Sequence, residues 1–163
     1  MNKLELHKKS IKEIAKEEGV STNAVENIRL SKHSLHEQTN GQRFETDIKN
    51  LLRQYNYIFR SQVIIGMAPI SVRNYQADIL ITNAHRPIII SLKSAAHGGT
   101  ADWIPYADIK RLQHYGHYIR YQIQNGDGWN NVNWDYVKKC HPKIRIINLD
   151  EFKILLEEKR FGL

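Results

Sequence analysis

Three polar side chains interrupt an otherwise apolar, β-branched stretch, Gln76–Ser94, QADILITNAHRPIIISLKS: Asp78, Ser91 and Lys93. The stretch reads as two strands, Tyr75–Ile81 and Pro87–Lys93, joined by a tight turn through Asn83, Ala84, His85 and Arg86. Side chains alternate across a strand, so Asp78 shares a face with Leu80, and Ile89, Ser91 and Lys93 share a face of the next strand. Where those faces coincide, a carboxylate and an ammonium meet at a sheet edge beside three consecutive isoleucines. Burying charge is costly unless it is paired or holds a metal. The pattern therefore points to chemistry.

An Asp ending one strand, followed about a dozen residues later by x-K on the next, resembles the core motif of the PD-(D/E)XK nuclease superfamily. That superfamily includes many restriction endonucleases and the archaeal-type Holliday junction resolvases. Gln76-Ala77 replaces the nominal Pro, and Ser91 stands where the second carboxylate normally sits. A subset of restriction endonucleases in the superfamily carries S-x-K, with the missing acid supplied from the following helix about fourteen residues beyond the Lys. Here Asp108 lies fifteen residues past Lys93, with Asp102 its competitor. The resemblance implies that Asp78 binds Mg²⁺ directly, with Asp108 or Glu45 and the Leu92 carbonyl completing the metal site. It further implies that Lys93 orients or helps deprotonate the attacking water, while Ser91 holds a metal-bound water at most.

Those residues need elements to position them. A helix over Gln42–Tyr55 carries Phe44, Ile48, Leu51, Leu52 and Tyr55 on one apolar face, and Glu45 sits beside that stripe. A Glu on the first helix points at the active site in resolvase-like and restriction-like members, and Glu45 matches that placement; the other reading is an i,i+4 pair with Lys49. Asn56–Met67 reads as a first strand antiparallel to the one bearing Asp78. The loop 68–73 follows, with Arg73 a candidate phosphate contact.

Beyond Lys93, Gly98-Gly99-Thr100 is a glycine loop without the P-loop pattern. Pro105 fits the first turn of a helix running through Asp108, Ile109, Leu112 and Tyr115, which puts Asp108 in the first turn, where a carboxylate also suits the helix end. Trp103 and Tyr106 are packing residues by default, with stacking the other reading. Tyr118–Gln124 reads as a strand, NGDGWNNVNWDY as a polar aromatic loop, Lys143–Asn148 as a strand and Leu149–Lys159 as a closing amphipathic helix. The histidines His97, His114, His117 and His141 have no cysteine pair to complete a zinc site.

The order helix, three strands, helix, strand, loop, strand, helix is the α/β arrangement expected of a restriction-endonuclease-like core, a mixed sheet flanked by helices. That core spans 41–163. A small helical unit, 1–36, precedes it across the turn-prone Leu35–Gly41. Within that unit Ile11, Ile14, Ala15, Gly19, Val20, Val25 and Ile28 fall in a pattern similar to the helix-turn-helix, with Ser21 and Thr22 placed to cap its second helix, although Glu18 occupies a position that is often apolar. Thr22, Asn23, Asn27 and Arg29 then lie on the exposed side of a recognition helix. A plain helical hairpin that packs on the core or makes a dimer fits the same spacing.

The chain has 163 residues, a formal charge of +7 and a pI near 9.5, which favours a polyanionic partner. A single cysteine, Cys140, excludes an intrachain disulfide and fits a reducing cytoplasm, prokaryotic or phage by the resemblance. No apolar run reaches the length of a membrane span. The expected function is Mg²⁺-dependent, sequence-specific cutting of double-stranded DNA, like a type II restriction endonuclease. Cutting both strands calls for two active sites and hence a homodimer. A junction resolvase, a repair or homing nuclease, and a non-catalytic DNA-binding regulator are the alternatives.

Overall fold

The computed structural model describes residues 41–67, 73–95 and 103–163. Asp102, the loop 98–100 and the proposed base-reading residues Thr22, Asn23, Asn27 and Arg29 lie outside the described residues. The described residues from Arg43 onward belong to one unit, an α/β fold in which a five-stranded mixed sheet is flanked by helices.

Helix α1 covers 41–54, and Phe44, Ile48 and Leu52, four residues apart, bury its inner stripe. The strands follow as β1 (Phe59–Met67), β2 (Asn74–Ile81) and β3 (Ile88–Ser94). Helix α2 (Trp103–Leu112) leads to β4 (Ile119–Asn125), and α3 (Trp134–Cys140) leads to β5 (Ile144–Asn148) and α4 (Leu149–Glu157). Spatial order equals chain order. The pairings β1/β2 and β2/β3 are antiparallel, as hairpin connections allow, whereas β3/β4 and β4/β5 are parallel across helical crossovers.

Strand β3 is central, and its three isoleucines show why the run is continuous and not alternating. Ile88 and Ile90 face a core built with Ile48 and Leu52 of α1 and Phe152 and Leu156 of α4. Ile89 faces a second core with Ile109 and Leu112 of α2, Val137 of α3 and Ile144 and Ile146 of β5. Leu80 of β2 packs on the second core too, so the faces of β2 and β3 carrying Asp78 and Lys93 coincide.

Two expectations are corrected. The segment 125–136 is not wholly loop: α3 begins at Trp134, capped by Asn133, whose side chain accepts from the Tyr136 amide. Its tryptophans serve packing, for Trp129 is buried and Trp134 donates its indole N–H to the Trp129 carbonyl at 3.2 Å. Asp108 lies in the second turn of α2, not the first, because the helix starts at Trp103; the first turn holds no acid. The helix-end explanation for Asp108 therefore falls away. No helix among the described residues is long and apolar enough to cross a membrane.

Candidate active site

The antiparallel ladder between β2 and β3 runs through Ile81↔Ile88, Leu80↔Ile89 and Ile79↔Ile90, and Asp78 is the next residue of β2. There the side chain replaces the backbone: Asp78 Oδ2 accepts the Leu92 amide at 2.6 Å. Strand β3 meanwhile stays paired with β4 through Ser91↔Gln122, Leu92↔Ile123 and Lys93↔Gln124. The result is a fork between β2 and β3 with a carboxylate at its root.

Lys93 folds back into this fork. Its ammonium donates to Ser91 Oγ at 2.9 Å and to the Leu92 carbonyl at 3.3 Å, and stands 3.7 Å from Asp108 Oδ1. Asp108, projecting from α2, is buried, and its other oxygen accepts from Gln122 Nε2 at 2.9 Å. A carboxylate so enclosed needs these partners, because an unpaired buried charge is strongly unfavourable. Burial raises the pKa of Asp78; the Leu92 amide and the Lys93 ammonium oppose that rise, and the negative charges of Asp108 and Glu45 add to it. The site thus concentrates negative charge around one lysine.

Glu45 of α1 makes the i,i+4 pair with Lys49, 2.6 Å apart, and its charge bears on Asp78 as well. Arg73 is exposed immediately before β2. The fold brings together Asp78, Ser91, Leu92, Lys93 and Asp108, whereas Glu45 reaches the group through its field and not through a hydrogen bond to it.

Two participants escaped the sequence reading. Gln122 is fully buried beneath Asp108, and its only sequence signal is the polar alternation of Arg120, Gln122 and Gln124 along a strand whose other face carries Tyr121 and Ile123. Tyr75 stacks on Tyr115 with ring centroids 5.1 Å apart, and its buried hydroxyl makes no well-formed hydrogen bond, although Ser91 lies close enough to favour its charged form. Burial, followed by the charges of Asp108 and Asp78, drives its titration upward.

Among the described residues, no group of three His, Cys, Asp or Glu side chains could hold a metal ion. What the fork offers is two carboxylates and a backbone carbonyl, a hard-oxygen set. Such a set suits Mg²⁺, which keeps several waters and takes one or two carboxylates plus substrate phosphate in preference to an all-protein cage.

No family model and no curated protein matches the sequence. Among solved structures, the chain is similar to the restriction endonuclease PspGI in a complex with substrate DNA. The TM-score is 0.55 at 12% identity, over 91% of this chain and 70% of that one. It is also similar to a protein of unknown function, AF1548, with a TM-score of 0.46 at 14% identity over 71% of this chain. It spans 64% of that protein's chain, less than two thirds. The likeness to PspGI shows a restriction-endonuclease-like fold.

Proposed function

We propose that this chain is a divalent-metal-dependent deoxyribonuclease that cuts double-stranded DNA at specific sequences, in the manner of a type II restriction endonuclease. One observation carries the reading. In a restriction-endonuclease-like sheet, the Lys93 ammonium is held by Ser91 and the Leu92 carbonyl and faces Asp108, at the fork whose root is Asp78.

Hydrolysing a phosphodiester needs a water in line with the leaving oxygen and positive charge for the phosphoryl oxygens. When bound, Mg²⁺ would supply part of that charge, held by Asp78 and Asp108 with the Leu92 carbonyl as a further oxygen donor, while Glu45, paired with Lys49, stands outside that set. Lys93 orients the attacking water and offsets the charge that develops on the phosphoryl group. Ser91 is neutral and cannot stand in for a second carboxylate. Its Oγ instead accepts a hydrogen bond from the ammonium and fixes the reach of Lys93, while Asp108 brings the missing charge from α2. Thr22, Asn23, Asn27 and Arg29 read bases from a helix-turn-helix in 1–36, Arg73 contacts a phosphate, and a homodimer provides the two sites that a double-strand cut requires.

The test is incubation of the purified chain with mixed plasmid and phage DNA in Mg²⁺ and in EDTA. Discrete Mg²⁺-dependent fragments are expected, lost in Asp78→Ala and Lys93→Ala with DNA binding largely retained. Cutting confined to branched DNA would make the chain a junction resolvase. Normal cleavage by either variant would remove these residues from the chemistry, and a retarded band without cutting under any metal would leave a regulator.

A further inference from the structure

We infer that Gln122, backed by Gln124, is the positioning residue that makes Asp108 an effective substitute for a strand-borne second carboxylate; this rests on the nuclease reading above. Gln122 is wholly buried on β4. Its Nε2 donates to Asp108 Oδ2 at 2.9 Å and to the Pro105 carbonyl at 2.9 Å, and its Oε1 accepts from Gln124 Nε2 at 2.8 Å. The Pro105 carbonyl and an ionised carboxylate only accept. A flipped Gln122 would set oxygen against oxygen twice, so the carboxamide has one tenable orientation.

That orientation decides what Asp108 presents. With Oδ2 engaged by Gln122, Oδ1 is the oxygen turned toward Lys93, 3.7 Å away. The Pro105 contact also pins Gln122 to α2, the helix that carries Asp108, so strand and helix are tied at the point where the carboxylate must be aimed. The register places Gln122 beside Ser91 and Gln124 beside Lys93, so the two glutamines shadow the S-x-K residues on the neighbouring strand. Packing alone does not call for this set, because an apolar side chain of the same size would fill the position without buried polar atoms to satisfy. Outer partners of metal-binding carboxylates typically govern metal affinity or activity by 10–100-fold, roughly.

The experiment compares the full-length wild type, Gln122→Leu and Gln124→Leu. It measures Mn²⁺ binding by calorimetry without DNA, the half-saturating Mg²⁺ for cleavage, DNA retention in Ca²⁺, and thermal melting. Gln122→Leu is expected to weaken Mn²⁺ binding at least about tenfold and to raise half-saturating Mg²⁺ by a like factor. DNA retention should stay unchanged, and cleavage should recover largely at high Mg²⁺. Gln124→Leu should shift the same two quantities about threefold, since it frees Gln122 without removing it. A folded Gln122→Leu with wild-type metal dependence overturns the inference. Should that variant not fold, wild-type metal dependence in Gln124→Leu overturns it and the threefold shift upholds it. A wild type that binds Mn²⁺ but cuts no DNA defeats the nuclease reading alone, and calorimetry on the variants still decides the role of Gln122. A wild type that binds no Mn²⁺ defeats both.

Discussion

Replacing Asp78 by Asn should make the protein more stable at neutral pH while abolishing cleavage. Two opposing effects set the sign. The carboxylate accepts the Leu92 amide at 2.6 Å, a bond worth about 1.5–3 kcal/mol with a charged acceptor and about 0.5–1.5 kcal/mol with a neutral one, so Asn gives up about 1 kcal/mol. Against this, burial, Asp108 and Glu45 raise the carboxyl's pKa even with that bond and Lys93 acting the other way, so the charged form is disfavoured on balance in the fold. A raised carboxyl pKa means that the folded chain binds the proton more tightly than the unfolded one. Wild-type stability therefore falls as pH rises from the ordinary value of 3.8 through the raised one, and stays lower above it. Asn carries no such loss. Its advantage should be absent at acid pH, grow through that window and level off. Asp78→Ala supplies no acceptor; it leaves the Leu92 amide unpaired and should be about 1–3 kcal/mol less stable than Asp78→Asn. Urea denaturation in EDTA at a series of pH values measures all three proteins. An Asn variant less stable than wild type at pH 7, or Asn and Ala variants of equal stability, would refute the account of the fork.

Lys93→Ala should lower cleavage by on the order of 10²-fold or more at saturating Mg²⁺, read from single-turnover rates on a supercoiled plasmid. Ser91→Ala removes one of the three contacts of the Lys93 ammonium and should slow cleavage by roughly tenfold, equivalent to about 1.4 kcal/mol, without abolishing it. Tyr75→Phe deletes a buried hydroxyl that makes no well-formed hydrogen bond and should raise stability by about 1 kcal/mol in urea denaturation; a loss of that size would mean the hydroxyl is bonded to the neighbouring Ser91 in solution. Gly162→Ala should destabilise by about 1 kcal/mol, because the residue has φ +85° and a Cβ there would stand 2.8 Å from Ile88 Cδ1; an unchanged melting temperature would show that the carboxyl terminus is not docked on β3.

The strands and their shared face were legible because β-branched runs and period-two alternation are local signals. Tyr75–Ile81 and Pro87–Lys93 were each read within one residue of β2 and β3 at either end. The match of faces followed from parity alone, since a hairpin register that sets Leu80 opposite Ile89 also sets Asp78 opposite Ser91, on the face that carries Lys93. The start of α2 was less legible. Pro105 marks a first turn without saying which of its positions the proline takes, and two residues of ambiguity moved Asp108 from a helix end to a helix interior. Helix α3 was obscured by the asparagines before it, which read as loop while one of them, Asn133, is a cap. Gln122 was not legible as a site residue because its partners, Pro105 and Asp108, lie fourteen or more residues away on α2, and pairing across elements leaves no local pattern.

On the proposed reading of Asp108 as the displaced acid, the burial of this polar set has a reason. A carboxylate on β3 at position 91 would be aimed by the strand itself, with its backbone fixed by the ladder to β4. Asp108 comes from α2, and a helix packed on a sheet can slide or rotate by amounts that strand pairing forbids. A carboxylate held only by its own rotamer on such a helix would not stay within the roughly 0.5 Å that productive geometry demands. Gln122 converts the strand's rigidity into aim for the helix, bonding Pro105 and Asp108 together, and Gln124 locks Gln122 in turn. On that reading, an acid carried by the helix and not by β3 depends for its orientation on the neighbouring strand. On this argument Ser91 and Gln122 act as a pair: the serine holds Lys93, and the glutamine aims the Asp108 carboxylate, which carries the charge that the serine lacks.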